Sequence, residues 1–94
     1  MPIVRIEHTV PDYEVWKRVF DADPADRKGS GVRSYQILQA ADDPNFVMID
    51  LEFDAVAEAE RFLETMQAIW AGPGKDVMRN PAARIVETVE SAKL

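Results

Sequence analysis

The stretch Ile3-Val4-Arg5-Ile6-Glu7-His8-Thr9-Val10-Pro11-Asp12-Tyr13-Glu14-Val15-Trp16-Lys17 decides the fold, because its apolar spacing changes from strand-like to helix-like at Pro11. Before Pro11 the chain alternates, with Val4, Ile6, His8 and Val10 on one face and Ile3, Arg5, Glu7 and Thr9 on the other. A first strand is therefore expected over Ile3 to Val10. After it, Pro11 or Asp12 opens a helix that carries Tyr13, Val15, Trp16, Val19 and Phe20 inward and Glu14, Lys17 and Arg18 outward, as far as about Ala22. His8, the chain's one histidine, stands where strand hands over to helix. It is the only side chain type here whose ordinary pKa lies near neutrality, and the aromatic stripe of Tyr13, Trp16 and Phe20 follows directly.

Working outward, Asp23 reads as a cap before Pro24, so a short helical turn is expected over Pro24 to Lys28, stopped by Gly29-Ser30-Gly31. Val32 to Ala40 and Asn45 to Phe53 read as the second and third strands, joined by a turn at Asp42-Asp43-Pro44-Asn45. Asp54 is expected to cap a second helix with the apolar stripe Val56, Ala59, Phe62, Leu63, Met66, Ile69 and Trp70, ended by Ala71-Gly72-Pro73-Gly74. An irregular segment through Asn80-Pro81 then leads to a last strand over Ala83 to Glu90. The order is βαββαβ, which predicts a ferredoxin-like α+β domain over residues 1–94: a four-stranded antiparallel sheet with two helices on one face.

The sheet's other face is expected to remain apolar in part, since the third strand offers Phe46 and Met48 on one side and Val47, Ile49, Leu51 and Phe53 on the other. A second copy would cover that face, so a homodimer is expected, with Arg5, Glu7, Asp50 and Glu52 adding ion pairs to the contact.

Composition narrows the chemistry. With 94 residues, 47% hydrophobic and 30% charged, the chain has the make-up of one ordinary globular domain. Its net charge of −6 opposes nucleic acid, whose binding rests on Lys and Arg replacing counterions. With no cysteine there is no disulfide, thiolate nucleophile or cysteine-held metal. No stretch has the length and apolarity of a membrane span, and charges interrupt the N-terminal segment where a signal peptide needs an apolar run, so no membrane role and a cytoplasmic location are expected. Asp21, Asp23, Asp26 and the pair Asp42-Asp43 stand where capping and turn chemistry explain them, and no metal site is expected.

The candidate site is His8 as acid or base, with Tyr13, Trp16, Tyr35 and Trp70 holding a flat apolar ligand between sheet and helices. The competing expectation is that His8 only hydrogen-bonds the strand–helix turn or Asp12, and that the aromatic stripe is core.

Taken together, His8 with Val10-Pro11-Asp12-Tyr13, Trp16-Lys17 and Phe20-Asp21, then Gly31-Val32, Asp42-Asp43-Pro44-Asn45 and Leu51-Glu52-Phe53-Asp54, resemble the dimeric α+β barrel superfamily, specifically its antibiotic biosynthesis monooxygenase-like and polyketide cyclase-like small proteins. The resemblance covers nearly the whole chain and implies two subunits paired sheet to sheet. It also implies cofactor-free oxidation of polycyclic phenols, cyclisation of polyketides, or haem degradation. The haem-degrading branch needs a histidine after the second helix, which this chain lacks, so no haem and no other cofactor is expected. A histidine on the first strand is the acid or base of the cyclase-like branch, a place His8 matches. A second-helix tryptophan belongs to the monooxygenase branch, a place Trp70 matches in part. The resulting expectation is a cofactor-independent monooxygenase-like or cyclase-like enzyme acting on an aromatic or polyketide-type compound. The alternative is a non-catalytic small-ligand-binding scaffold.

Overall fold

In a computed structural model, which describes residues 1–72 and 78–94, the chain forms β1 (Pro2–Thr9), α1 (Tyr13–Asp21), β2 (Ser34–Ala40), β3 (Asp43–Glu52), α2 (Val56–Ala71) and β4 (Arg79–Glu87). The four strands make one antiparallel sheet in the order β2-β3-β1-β4, the expected ferredoxin-like arrangement. Neither helix among the described residues is long and apolar enough to cross a membrane.

The alternation in β1 sets the two faces. Val4, Ile6, His8 and Val10 are at most 1% exposed, and the in-register partners Val47, Ile49 and Leu51 are equally buried. Phe53, Ala59 and Phe62 complete that layer beneath the helices. On the opposite face Arg5 meets Asp50 in a bidentate pair, Nε to Oδ1 at 2.8 Å and Nη2 to Oδ2 at 2.9 Å. Gln36 adds a longer bond to the same carboxylate at 3.3 Å. Leu38 lies opposite Met48 on this face and is 40% exposed.

Several local expectations are corrected. Residues 41–42 form the β2–β3 turn, so Asp43, Pro44 and Asn45 belong to β3, and a register shift at Gln39/Ala40 absorbs the mismatch. The second strand starts at Ser34 instead of Val32. Asp54 does not cap α2. Ala55 takes the cap position with no side-chain bond, while Asp54 pairs with Arg33 at 3.3 Å. Val56, placed in the apolar stripe, is 41% exposed. Pro24 to Lys28 forms turns without a helix, because Asp23 (φ 57°) and Asp26 (φ 51°) are left-handed, whereas an N-cap residue needs extended backbone.

The last strand starts four residues early, at Arg79, and ends at Glu87. Asn80 (φ 51°) makes this possible by forming a bulge opposite Glu7 to Thr9, and β4 is an edge strand that tolerates Pro81. Of the expected α2 stop signal, Pro73 and Gly74 lie outside the described residues.

Candidate functional site

Asp12 fixes where the site's helix begins. Its carboxylate accepts the backbone N–H groups of Glu14 at 3.0 Å and Val15 at 3.3 Å, and its backbone is extended as an N-cap requires. From that start the helical repeat turns Tyr13, Trp16 and Phe20 towards the sheet. Trp16 lands on His8, with ring centroids 5.2 Å apart and planes inclined by 50°. Tyr13 flanks Trp16 at 5.7 Å, Phe20 stacks on it at 5.2 Å, and Tyr35 of β2 meets Phe20 edge-on at 5.2 Å. Tyr35 faces the helices because it pairs with inward-facing Leu51. A row of rings thus runs from β1 across α1 to β2.

Four of the five sequence-derived site residues therefore fall in one aromatic row: His8, Tyr13, Trp16 and Tyr35. Trp70 stands apart, half-buried against the core near the end of α2, with its indole N–H buried and without an acceptor among the described residues.

His8 lies deep in the core. It is 1% exposed and sealed beneath Trp16. Neither ring nitrogen has a hydrogen-bond partner among the described residues, so the expected bond to the turn or to Asp12 is absent there, and the Asp12 carboxylate is engaged as the helix cap. Burial pushes the imidazole pKa down to about 4, because the charged form loses its water and gains no counter-charge. At neutral pH the ring is uncharged, with one donor and one acceptor. Unpaired buried polar groups are uncommon and costly, so this ring calls for a reason beyond packing.

Beside this row lies a small cavity of about 40 Å³, walled by Trp16, Phe20, Phe62, Met66, Ile69 and Met78 and bordered by Asp23 and Arg27. Of the sequence-derived residues only Trp16 lines it. A void this size admits a few waters at most, so an aromatic ligand requires the walls to yield. Met66 and Met78, with flexible thioether side chains, are suited to that. The only imidazole of the chain is sealed under Trp16. No cluster of three or more metal-ligating side chains occurs among the described residues. Asp21 instead pairs with Lys17 at 2.6 Å, and the Asp26 carboxylate accepts the Gly29 N–H at 3.2 Å.

Sequence reasoning missed Arg27. Asp23 and Arg27, four residues apart, form an ion pair at 3.5 Å across a non-helical turn, which the spacing alone does not signal.

No family model and no curated relative matches the chain. Solved structures do. A candidate antibiotic biosynthesis monooxygenase from Deinococcus radiodurans superimposes with a TM-score of 0.71 at 17% identity, over 100% of this chain and 98% of that one. A variant of SnoaB, a cofactor-independent oxygenase from Streptomyces nogalater, gives 0.78 at 13% identity, over 96% and 94%. A variant of MhuD holding two manganese protoporphyrin IX molecules per active site gives 0.65 at 15%, over 97% and 98%. At these identities the likeness establishes a shared fold, that of antibiotic biosynthesis monooxygenase-like proteins, as the sequence resemblance implied.

Proposed function

We propose, from the antibiotic biosynthesis monooxygenase-like fold that this chain has, that it is a cofactor-independent oxygenase-like enzyme. Its substrate is an aromatic or polyketide-type molecule held between sheet and helices. The observation that carries this reading is His8: a neutral imidazole with neither nitrogen partnered among the described residues, in contact with Trp16, which also walls the apolar cavity. With Trp16 turned aside, a phenol or an acidic C–H brought against His8 would give its proton to the imidazole. The electron-rich anion left behind can then react with dioxygen without a metal, or attack a carbonyl in a cyclisation. A low pKa keeps the base free of protons at neutral pH, and the imidazolium formed is stabilised only when a substrate anion is beside it. Tyr13, Trp16 and Tyr35 orient the ring system.

The functional unit in this reading is a homodimer formed through the open sheet face, where Ile3, Leu38, Phe46 and Met48 surround the Arg5–Asp50 pair. The alternative, a binding scaffold without turnover, is favoured by one observation: His8 is sealed at 1% exposure. Oxygen uptake with a panel of polycyclic phenols separates the two. Turnover that is lost in His8→Gln while ligand affinity persists supports the enzyme, and binding without uptake in the unmodified protein supports the scaffold.

A further inference from the structure

We propose that Arg27 is an anion-binding residue and that the ligand of this protein is an aromatic carboxylate, with its ring in the apolar cavity and its carboxylate against Arg27, Lys28 and Arg33. This rests on the reading above in requiring an aromatic ligand between sheet and helices, and it adds the charge that such a ligand carries.

Arg27 stands between two spaces. On one side is the apolar cavity of about 40 Å³, and on the other an open cleft of about 640 Å³ that Arg27 also lines, together with Asp23, Lys28, Arg33, Ser34 and Tyr35. The cleft gathers three cations against one carboxylate, in a chain whose net charge is −6. Arg33 is held only in an exposed pair with Asp54, and Lys28 has no acidic partner among the described residues.

The guanidinium is largely withdrawn from water, its side chain 17% exposed, and its Cζ lies over Phe20 at 3.9 Å from the ring centroid, with the Tyr35 ring at 5.0 Å. Nη1 donates to the Phe20 carbonyl at 2.6 Å and Nε faces Asp23 at 3.5 Å, while Nη2 has no acceptor among the described residues. The backbone beneath is fixed: the Asp23 carboxylate accepts the Arg27 N–H at 2.9 Å, and the Arg27 carbonyl accepts the Val32 N–H at 3.0 Å. Gly31, at φ 98°, makes the turn between them and β2.

Bracing the loop uses Nη1 and the backbone. It leaves unused the donors on Nη2 and does not account for Lys28 and Arg33 around the same cleft. A carboxylate matches both, because a planar guanidinium presents paired N–H groups to its two oxygens and a desolvated one binds them more strongly. A ligand bridging the two spaces would place its ring beside Trp16 and Phe20, with its carboxylate directed outward past Tyr35.

The test compares binding of hydroxynaphthoate and naphthol by titration calorimetry and tryptophan fluorescence. The expected result is a dissociation constant for hydroxynaphthoate lower by roughly tenfold or more, a preference that salt erodes. Arg27→Gln should abolish that preference while naphthol affinity stays the same. Lys28→Gln and Arg33→Gln, both at exposed positions, should each reduce it several-fold, and they decide the matter if Arg27→Gln fails to fold. Equal affinity for both compounds in the unmodified protein overturns the anion site and leaves the aromatic-ligand reading standing. A preference that survives all three substitutions also overturns it. Binding of neither compound overturns both.

Discussion

The imidazole of His8 and the indole of Trp16 lie 5.2 Å apart between ring centroids, on β1 and α1 respectively, and both side chains are almost fully buried. The contact joins the chain's one readily titratable ring to the wall of its apolar cavity. It also explains why the helix cap matters to the site: Asp12 sets the phase of α1, and the phase sets which residue meets His8.

Neither nitrogen of His8 has a hydrogen-bond partner among the described residues, so burying the ring costs the fold free energy. His8→Leu, of similar bulk, should leave the protein as stable or on the order of 1 kcal/mol more stable in chemical denaturation, since it removes unsatisfied polar atoms. The same substitution should abolish turnover. A large loss of stability would instead identify His8 as a structural residue.

Acid should destabilise the protein through two groups. The folded pKa of His8, about 4, lies below its ordinary value of 6.5, so between these limits the unfolded chain binds more protons. Stability is therefore full above about pH 6.5 and falls as pH drops towards 4, by up to roughly 3 kcal/mol from this group. Asp50 acts in the same direction at lower pH, because the hydrogen bonds from Arg5 hold its carboxyl below the usual range and that contribution is lost on protonation. Denaturation midpoints measured across this range should fall in two stages, and the upper stage should vanish in His8→Leu.

The inward face of β1 was legible because Val4, Ile6, His8 and Val10 obey a strict period of two, and the helix start because Asp12 is followed by residues at helical spacing. The packing of Trp16 on His8 followed from those two facts. The start of β4 was not legible, since Asn80 and Pro81 read as loop formers. Only the edge position of the strand and the left-handed Asn80 turn them into a bulge. Arg27 was hidden for a related reason: its role depends on Phe20 and Tyr35 arriving from different elements, which no local pattern encodes.

The open sheet face gives a prediction about assembly. Met48 lies opposite Leu38 on that face and away from the core. Met48→Lys should halve the mass measured by light scattering while leaving the circular dichroism spectrum unchanged. An unmodified protein that is already monomeric would remove the proposed dimer.

Asp12→Ala removes the acceptor for two backbone N–H groups at the start of α1. A loss of about 1 kcal/mol in stability is expected. Ligand affinity should drop further than that of an equally destabilised variant remote from α1, because Tyr13 and Trp16 lie in the first turns of the same helix.

The central claim, that His8 is a neutral base for a ligand held on Trp16, is most directly tested by following the His8 ring by nitrogen-detected NMR across pH, with and without a polycyclic phenol. One histidine gives one unambiguous pair of signals. The predicted result is an imidazole that stays neutral down to about pH 4 in the free protein and whose nitrogen shifts change when the phenol binds. An imidazole that titrates near its ordinary value of 6.5 and ignores every ligand would contradict it.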